Sequence, residues 1–184
     1  MEEQERQITI TSASEADAQA LADLFISHIT AHPEYISHGE IQMGVGKETV
    51  QGDRFIAHPA PDARERWRKY ILAEIGNDAI SHVWKAVDAQ GTLMGFCVAD
   101  IKGNEDYSFG MVGDVLVNPQ CRGIGLGNTL LKTAIDWLRS KGIQEIYLES
   151  GKDNHPAHRF FEKRGFVHVS EIYKLIVNCQ RKER

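Results

Sequence analysis

No apolar run in this 184-residue chain approaches the length of a membrane span, so a transmembrane helix is excluded at the outset. The opening MEEQERQ is charged and carries no apolar stretch, so it does not read as a signal peptide, and the protein is expected in the cytoplasm. Cysteine is scarce and scattered. Cys97, Cys121 and Cys179 form no CxxC pair, which argues against both a disulfide framework and a cysteine zinc site and leaves them as reduced thiols. Basic residues are not in excess: 21 Lys and Arg against 26 Asp and Glu give a net charge of −5, unsuited to nucleic acid and mildly favourable to cations. His28 and His32 stand i, i+4 with His38 nearby, but HITAH lacks the glutamate of HExxH. His155 and His158 stand i, i+3 on a short polar helix. Both pairs read as surface or packing histidines, so no metal is expected. Trp67, Trp84 and Trp137 follow no repeat and read as core or groove aromatics.

What is present is an ordinary globular composition, 42% hydrophobic and 26% charged. A chain of this length is expected to form one domain, residues 1–184, burying about 70% of its unfolded surface. Ile8 and Ile10 alternate with threonines as a first strand, and Ser14 with Asp17 resembles a capping box for a helix carrying Leu21, Leu24, Phe25 and Ile29. Residues 32–61 show no sustained period and are expected to be a functional or disordered loop. Their apolar groups, Tyr35, Ile36, Ile41, Met43, Phe55 and Ile56, suggest a lid or wall over a site. Asp62 caps a second helix with Trp67, Tyr70, Ile71 and Ile75, ended by Gly76. Strands are expected at 82–88, 93–101, 111–118 and 143–149, with Gln90 and Gly91 turning between the first two. A helix follows residue 127 and stops at Gly142; Asn154 caps a short helix ending at Gly165; two last strands are expected at 166–169 and 172–177. Strand-helix-strand order demands a parallel pair, and the tight turns demand antiparallel ones. The fold class is therefore α/β in the α+β sense, a mixed sheet flanked by helices.

The densest information lies in residues 115–131, VLVNPQCRGIGLGNTLL. A strand runs through Pro119 into a turn with Gly123, Gly125 and Gly127 and then directly into an amphipathic helix. Backbone can approach a ligand there without Cβ atoms intervening, and a helix N-terminus offers unpaired N–H groups at the positive end of its dipole. The dinucleotide fingerprint is missing its third glycine, and no GK[ST] follows, so neither a Rossmann nor a Walker reading fits.

The remaining pattern, Arg122-x-x-Gly125-x-Gly127, resembles the acetyl-coenzyme A motif of the GCN5-related N-acetyltransferases (GNAT). A second stretch, NHPAHRFFEKRGF, is similar to that family's NxxAxxLYxxxGF, with Asn154, Ala157, Phe160, Phe161, Gly165 and Phe166 in register. The resemblance covers roughly residues 93–177; the acyl-CoA half is placed at about 91–177 and a variable acceptor half at about 1–90. It implies a splayed sheet and acetyl-CoA as acyl donor. It also implies a pantetheine arm on the backbone of Val115, Leu116 and Val117, and a pyrophosphate on the amides of Arg122, Gly123, Ile124, Gly125, Leu126, Gly127 and Asn128, with Asn154 and Phe161 beside the cofactor. Phe161 departs from the family pattern, which has a tyrosine there proposed to protonate the departing thiolate.

An amine protonated at neutral pH must lose a proton before it attacks a thioester, so a base is needed near the splay. Asp114 and Glu149 are the candidates. Asp114 lies an odd number of residues before Val117, so strand alternation puts those two side chains on opposite faces. The expected function is acetyl transfer from acetyl-CoA to a primary amine by direct attack in a ternary complex, with a small-molecule or peptide amine as partner. The oligomeric state stays open, a homodimer included. The alternative is a non-catalytic acyl-CoA-binding sensor or regulatory module; a zinc hydrolase on the early histidines ranks third.

Overall fold

The computed structural model describes residues 8–52 and 54–175. It divides into two compact units, Met1–Asn154 and His155–Arg184. In the first, a five-stranded sheet has the order β1 (Thr9–Ser12), β4 (Ser81–Val87), β5 (Leu93–Gly103), β6 (Ser108–Val117), β7 (Ile146–Leu148). All its neighbours are antiparallel except β6 and β7, which are parallel. The mixed sheet thus arises where a helical crossover, α4 (Leu126–Ser140), separates two strands, as strand-helix-strand order requires.

Helices cover both faces. α1 (Ala18–Ala31) and α3 (Ala63–Ile75) bury Leu21, Phe25, Ile29, Trp67 and Ile71 against Val83, Phe96, Val98 and Leu116. The Phe25 and Trp67 rings stack at 4.6 Å. On the other face α4 buries Leu130, Leu131, Ala134 and Leu138, and the Cys97 thiol donates to the Leu130 carbonyl. Gly142, at φ 82, ends α4 by donating to Arg139 O while Ile143 N donates to Leu138 O. Ser14 N–H and Oγ–H both donate to Asp17 at the entry to α1.

The stretch expected as a structureless loop is ordered. It contains a one-turn 3-10 helix at Pro33–Tyr35, the short helix α2 (His38–Gln42) and a separate hairpin of β2 (Gly46–Gln51) and β3 (Arg54–Pro59). Ser37 and Glu40 cap α2 reciprocally. The hairpin escaped detection because its outer part is exposed on both faces, Val50 and Phe55 included, so no apolar-polar alternation marks it. Its ends do enter the core: Ile36, Val45 and Ala60 are buried.

The second unit contains α5 (His155–Glu162), where Phe161 packs on Phe160 and Phe166. No strand forms over residues 166–169 or 172–175, correcting the expectation there; residues 176 and 177 lie outside the described residues. Val167, Val169, Ile172 and Tyr173 are exposed, so alternation alone gave them no partner to pair with. Among the described residues no helix is long and apolar enough to cross a membrane.

Candidate active site

Two discontinuities in β6 build the site. Val98 pairs with Asp114 and Ala99 with Val112, so Gly113 is an extra residue, a β-bulge. Its missing side chain leaves room for the Tyr70 hydroxyl, which would lie 2.8 Å from a Cβ placed there. The second discontinuity is on the other edge: β7 pairs with β6 only at Gly110, Met111 and Val112. Beyond that point β6 has no strand partner on this side among the described residues. Asn118 N donates to Met94 O on β5, so by antiparallel alternation Leu116 also faces β5, and Val115 and Val117 turn their N–H and C=O groups to the open edge. The splay that the sequence resemblance implied is therefore present.

β6 leads into the turn at 119–127. Gly123 and Gly125 have φ of 86° and 81°, and a Cβ at either would meet nothing within 4 Å. Positive φ and open space together mean that backbone, not side chain, faces outward here. Arg122 N and Asn128 N turn inward onto Pro119 O and Gly125 O, whereas the amides of Gly123 to Gly127 have no backbone acceptor among the described residues. Gly125 is the N-cap of the 15-residue α4, whose dipole adds positive potential at the same point. This is a fit for a pyrophosphate, and the open edge of β6 is a fit for an amide-bearing arm. Asn154 directly precedes α5, and its N–H donates to Gly151 O.

Sequence reasoning singled out Asp114 and Glu149, and the structure gives them different surroundings. Asp114 is half-buried; desolvation first, then the carboxylates of Glu40, Glu74 and Asp100, push its pKa up to about 8. Glu149 is exposed and accepts from Gly39 N at 2.7 Å, tying the first turn of α2 to the end of β7. It also helps burial raise the pKa of Glu40.

Four groups that sequence reasoning did not select converge with Asp114: Tyr70 and Glu74, i, i+4 on α3; Asp100 on β5; and Glu40 on α2. Burial, then Asp114, Glu74, Asp100 and Glu40 in that order, hold the Tyr70 phenol in its neutral form well above pH 10. At the C-terminal end of α1, His28 lies within electrostatic reach of Arg122; burial foremost, then Arg122 and His32, lowers its pKa to about 4. Its ring lies 5.5 Å from that of His32 and 5.8 Å from that of Tyr35. Among the described residues no group of three His, Cys, Asp or Glu side chains could hold a metal ion.

Residues 47–166 match the model of the acetyltransferase (GNAT) family. The chain belongs to that family. Among curated relatives, the streptothricin acetyltransferase of Streptomyces lavendulae is 34% identical over 93 residues, 50% of this chain and 48% of its own. The chain spans about half or less of the length of the curated relatives it matches. Among solved structures, the PaiA N-acetyltransferase of Thermoplasma acidophilum, in complex with coenzyme A, superposes with a TM-score of 0.65 at 22% identity, covering 88% of this chain and 90% of that one. A predicted acetyltransferase of Clostridium acetobutylicum, solved with acetyl-CoA, gives 0.63 at 15%, covering 92% and 96%. The GNAT fold, a mostly antiparallel sheet with helices on both faces, is thus common to all three.

Proposed function

We propose that the protein is an N-acetyltransferase that moves an acetyl group from acetyl-CoA to a primary amine by direct attack. The observation that carries this reading is the open edge of β6 running without interruption into a turn of free amides, with a high-pKa carboxyl, Asp114, one residue from the bulge. Acetyl-CoA supplies the activated acetyl group as a thioester. Backbone groups of Val115 and Val117 would hold its arm and the amides of Gly123 to Gly127 its pyrophosphate, with Arg122 adding charge. Among relatives, one carries the name of a streptothricin acetyltransferase and another that of an N-alpha-acetyltransferase, so their names do not single out an acceptor.

Asp114 is the proton acceptor in this scheme. A base works best when its pKa lies near the working pH, and a carboxyl raised to about 8 accepts the ammonium proton far more readily than one near 4. Glu149, occupied by Gly39 N–H, holds α2 in place. Phe161 has no proton to give, so the thiolate takes its proton from another group or from water, or leaves unprotonated. Direct attack needs no enzyme nucleophile; burial raises the pKa of the Cys97 thiol far above its usual range, and its S–H is bonded to Leu130 O.

The test is Asp114→Asn, assayed by thiol release with an amine panel. Turnover should fall roughly 100-fold or more, and the limb of the pH profile that rises toward about pH 8 should vanish. Coenzyme A affinity by calorimetry should stay within a few-fold. If CoA binds but no amine is acetylated by the parent protein, the sensor reading replaces this one.

A further inference from the structure

The phenol of Tyr70 brings a polar group to the site and bonds it to nothing. Its ring is held edge-on by buried Trp67, with centroids 6.0 Å apart, and its Oη makes no hydrogen bond among the described residues. The unpaired side-chain atoms sealed from solvent there are His28 Nδ1, Asp100 Oδ1 and Ser150 Oγ. Tyr70 Oη is not one of them, so it keeps contact with solvent. A hydroxyl has one donor and two acceptor positions, and an unfilled one in a half-buried place calls for an explanation.

Its position supplies one. A Cβ at Gly113 would lie 2.8 Å from Tyr70 Oη and 3.7 Å from Val98 Cγ1, and Val98 packs in the core beneath α3. Asp114 pairs with Val98 and precedes buried Leu116 by two, so its side chain shares that face with the hydroxyl. Gly113 is exposed, and Asp114 and Tyr70 are half-buried, so the face is open at this point. Gly113 is also the first residue of β6 beyond its last pair with β7. An arm anchored at the glycine turn and lying along Val117 and Val115 runs back over about 17 Å of strand and brings its thioester end to Gly113. Lying in the plane of the sheet, the thioester presents its carbon to a nucleophile from above or below that plane. Tyr70 and Asp114 stand together on one of those sides.

Resting on the amine-acetylation reading above, we infer that Tyr70 Oη binds the acceptor nitrogen itself, accepting the one N–H that persists into the amide product, and so makes the enzyme selective for primary over secondary amines. A primary ammonium has three N–H bonds. Ionised Asp114 takes one proton, which frees the lone pair; that pair forms the C–N bond, and the C–S pair leaves with the thiolate. A second proton is lost to water as the amide forms. The third stays on nitrogen, where Tyr70 holds it from binding through to product. A secondary amine, after the same two losses, has no N–H left to be held. Burial, then the carboxylates of Asp114, Glu74, Asp100 and Glu40, keeps the phenol neutral, and the same carboxylates favour a cation at this place.

The experiment measures thiol release by the intact protein with acetyl-CoA and either butylamine or benzylamine, each against its N-methyl derivative. The parent should favour the primary member of each pair in kcat/KM by at least about 10-fold, the worth of a hydrogen bond to a charged group. Tyr70→Phe should cut that preference by about the same factor, slowing the primary amine and sparing the secondary one. Because the hydroxyl has no partner to lose among the described residues, the variant should keep the parent's melting temperature and coenzyme A affinity. A residue acting through packing alone would leave the ratio within each pair unmoved. Equal use of primary and secondary amines by the parent, or a preference that survives in Tyr70→Phe, overturns the inference while leaving amine acetylation standing. If no amine is acetylated, calorimetry of butylamine against the CoA-bound protein decides. Weaker binding to Tyr70→Phe then keeps the contact and overturns the enzymatic reading; equal or absent binding overturns both.

Discussion

Gly113 has no side chain, and the Tyr70 hydroxyl fills that space. Its φ is not in the left-handed region, so alanine is acceptable to the backbone and the cost falls on Tyr70 alone. Gly113→Ala should therefore push the phenol off the bulge with a stability loss of about 1–3 kcal/mol, typical of overpacking. Acetyl transfer should fall by roughly 10-fold or more. Tyr70→Phe in the same background should recover most of the stability, because it removes the crowded oxygen, without recovering the rate. Denaturant titration alongside steady-state kinetics separates the two effects, and full recovery of rate would show that the hydroxyl has no part in the site. The convergence of Tyr70, Glu74, Asp100 and Glu40 on Asp114 could not be read from the sequence. Each sits singly among polar or apolar neighbours, and α3, β5 and α2 meet only through long-range packing. Asp114 was legible because the strand containing it leads straight into the glycine turn.

At the scale of elements, α4 and strands β4 and β6 were visible because one face of each is the more buried, which imposes a 3.6- or 2-residue period, whereas β5, buried on both faces from Met94 to Asp100, was visible as a continuous run poor in charge. β7 is shorter than the expected 143–149: it begins only at Ile146, and the splay ends its pairing at Leu148. The glycine turn was legible for a different reason: its chemistry depends on backbone, and glycines with open surroundings advertise it. That makes a controlled test available, since Gly125 and Gly142 have nearly identical φ, 81° and 82°, and neither has an atom within 4 Å of its Cβ position. Valine at either should cost at least about 1–2 kcal/mol from left-handed strain. Only Gly125→Val should reduce coenzyme A affinity, by about 10-fold or more, because only there does a ligand approach the added bulk. Comparable losses of affinity in both variants would place the pyrophosphate elsewhere.

Across the whole molecule, the buried titratable groups give stability a definite dependence on pH. Asp114, at about 8, and Asp100, at about 6, are raised by burial, so the folded chain binds protons that the unfolded chain has already released. The stability they contribute is fully present below the ordinary aspartate range and is lost as pH rises through 6 and then 8. His28, lowered to about 4 chiefly by burial, acts in the opposite sense: the unfolded chain takes up a proton below pH 6.5 that the folded chain refuses until about 4. Between those values the slopes oppose one another; above pH 6.5 only the carboxyls act. The melting temperature should therefore already decline from pH 5 to 6.5, where two carboxyls outweigh one imidazole, and go on declining to 8.5. Asp114→Asn should abolish most of that decline and melt above the parent at pH 8.5, by an amount of the order of 3 kcal/mol. His28→Gln should roughly double the decline between pH 5 and 6.5, because it removes the one group that opposes the carboxyls there. Calorimetric scans of the three proteins at matched ionic strength measure this directly. A parent whose melting temperature is the same at pH 6.5 and 8.5 would mean that Asp114 is ionised through that range, and the proton acceptor would then have to be sought among the other carboxylates around Tyr70.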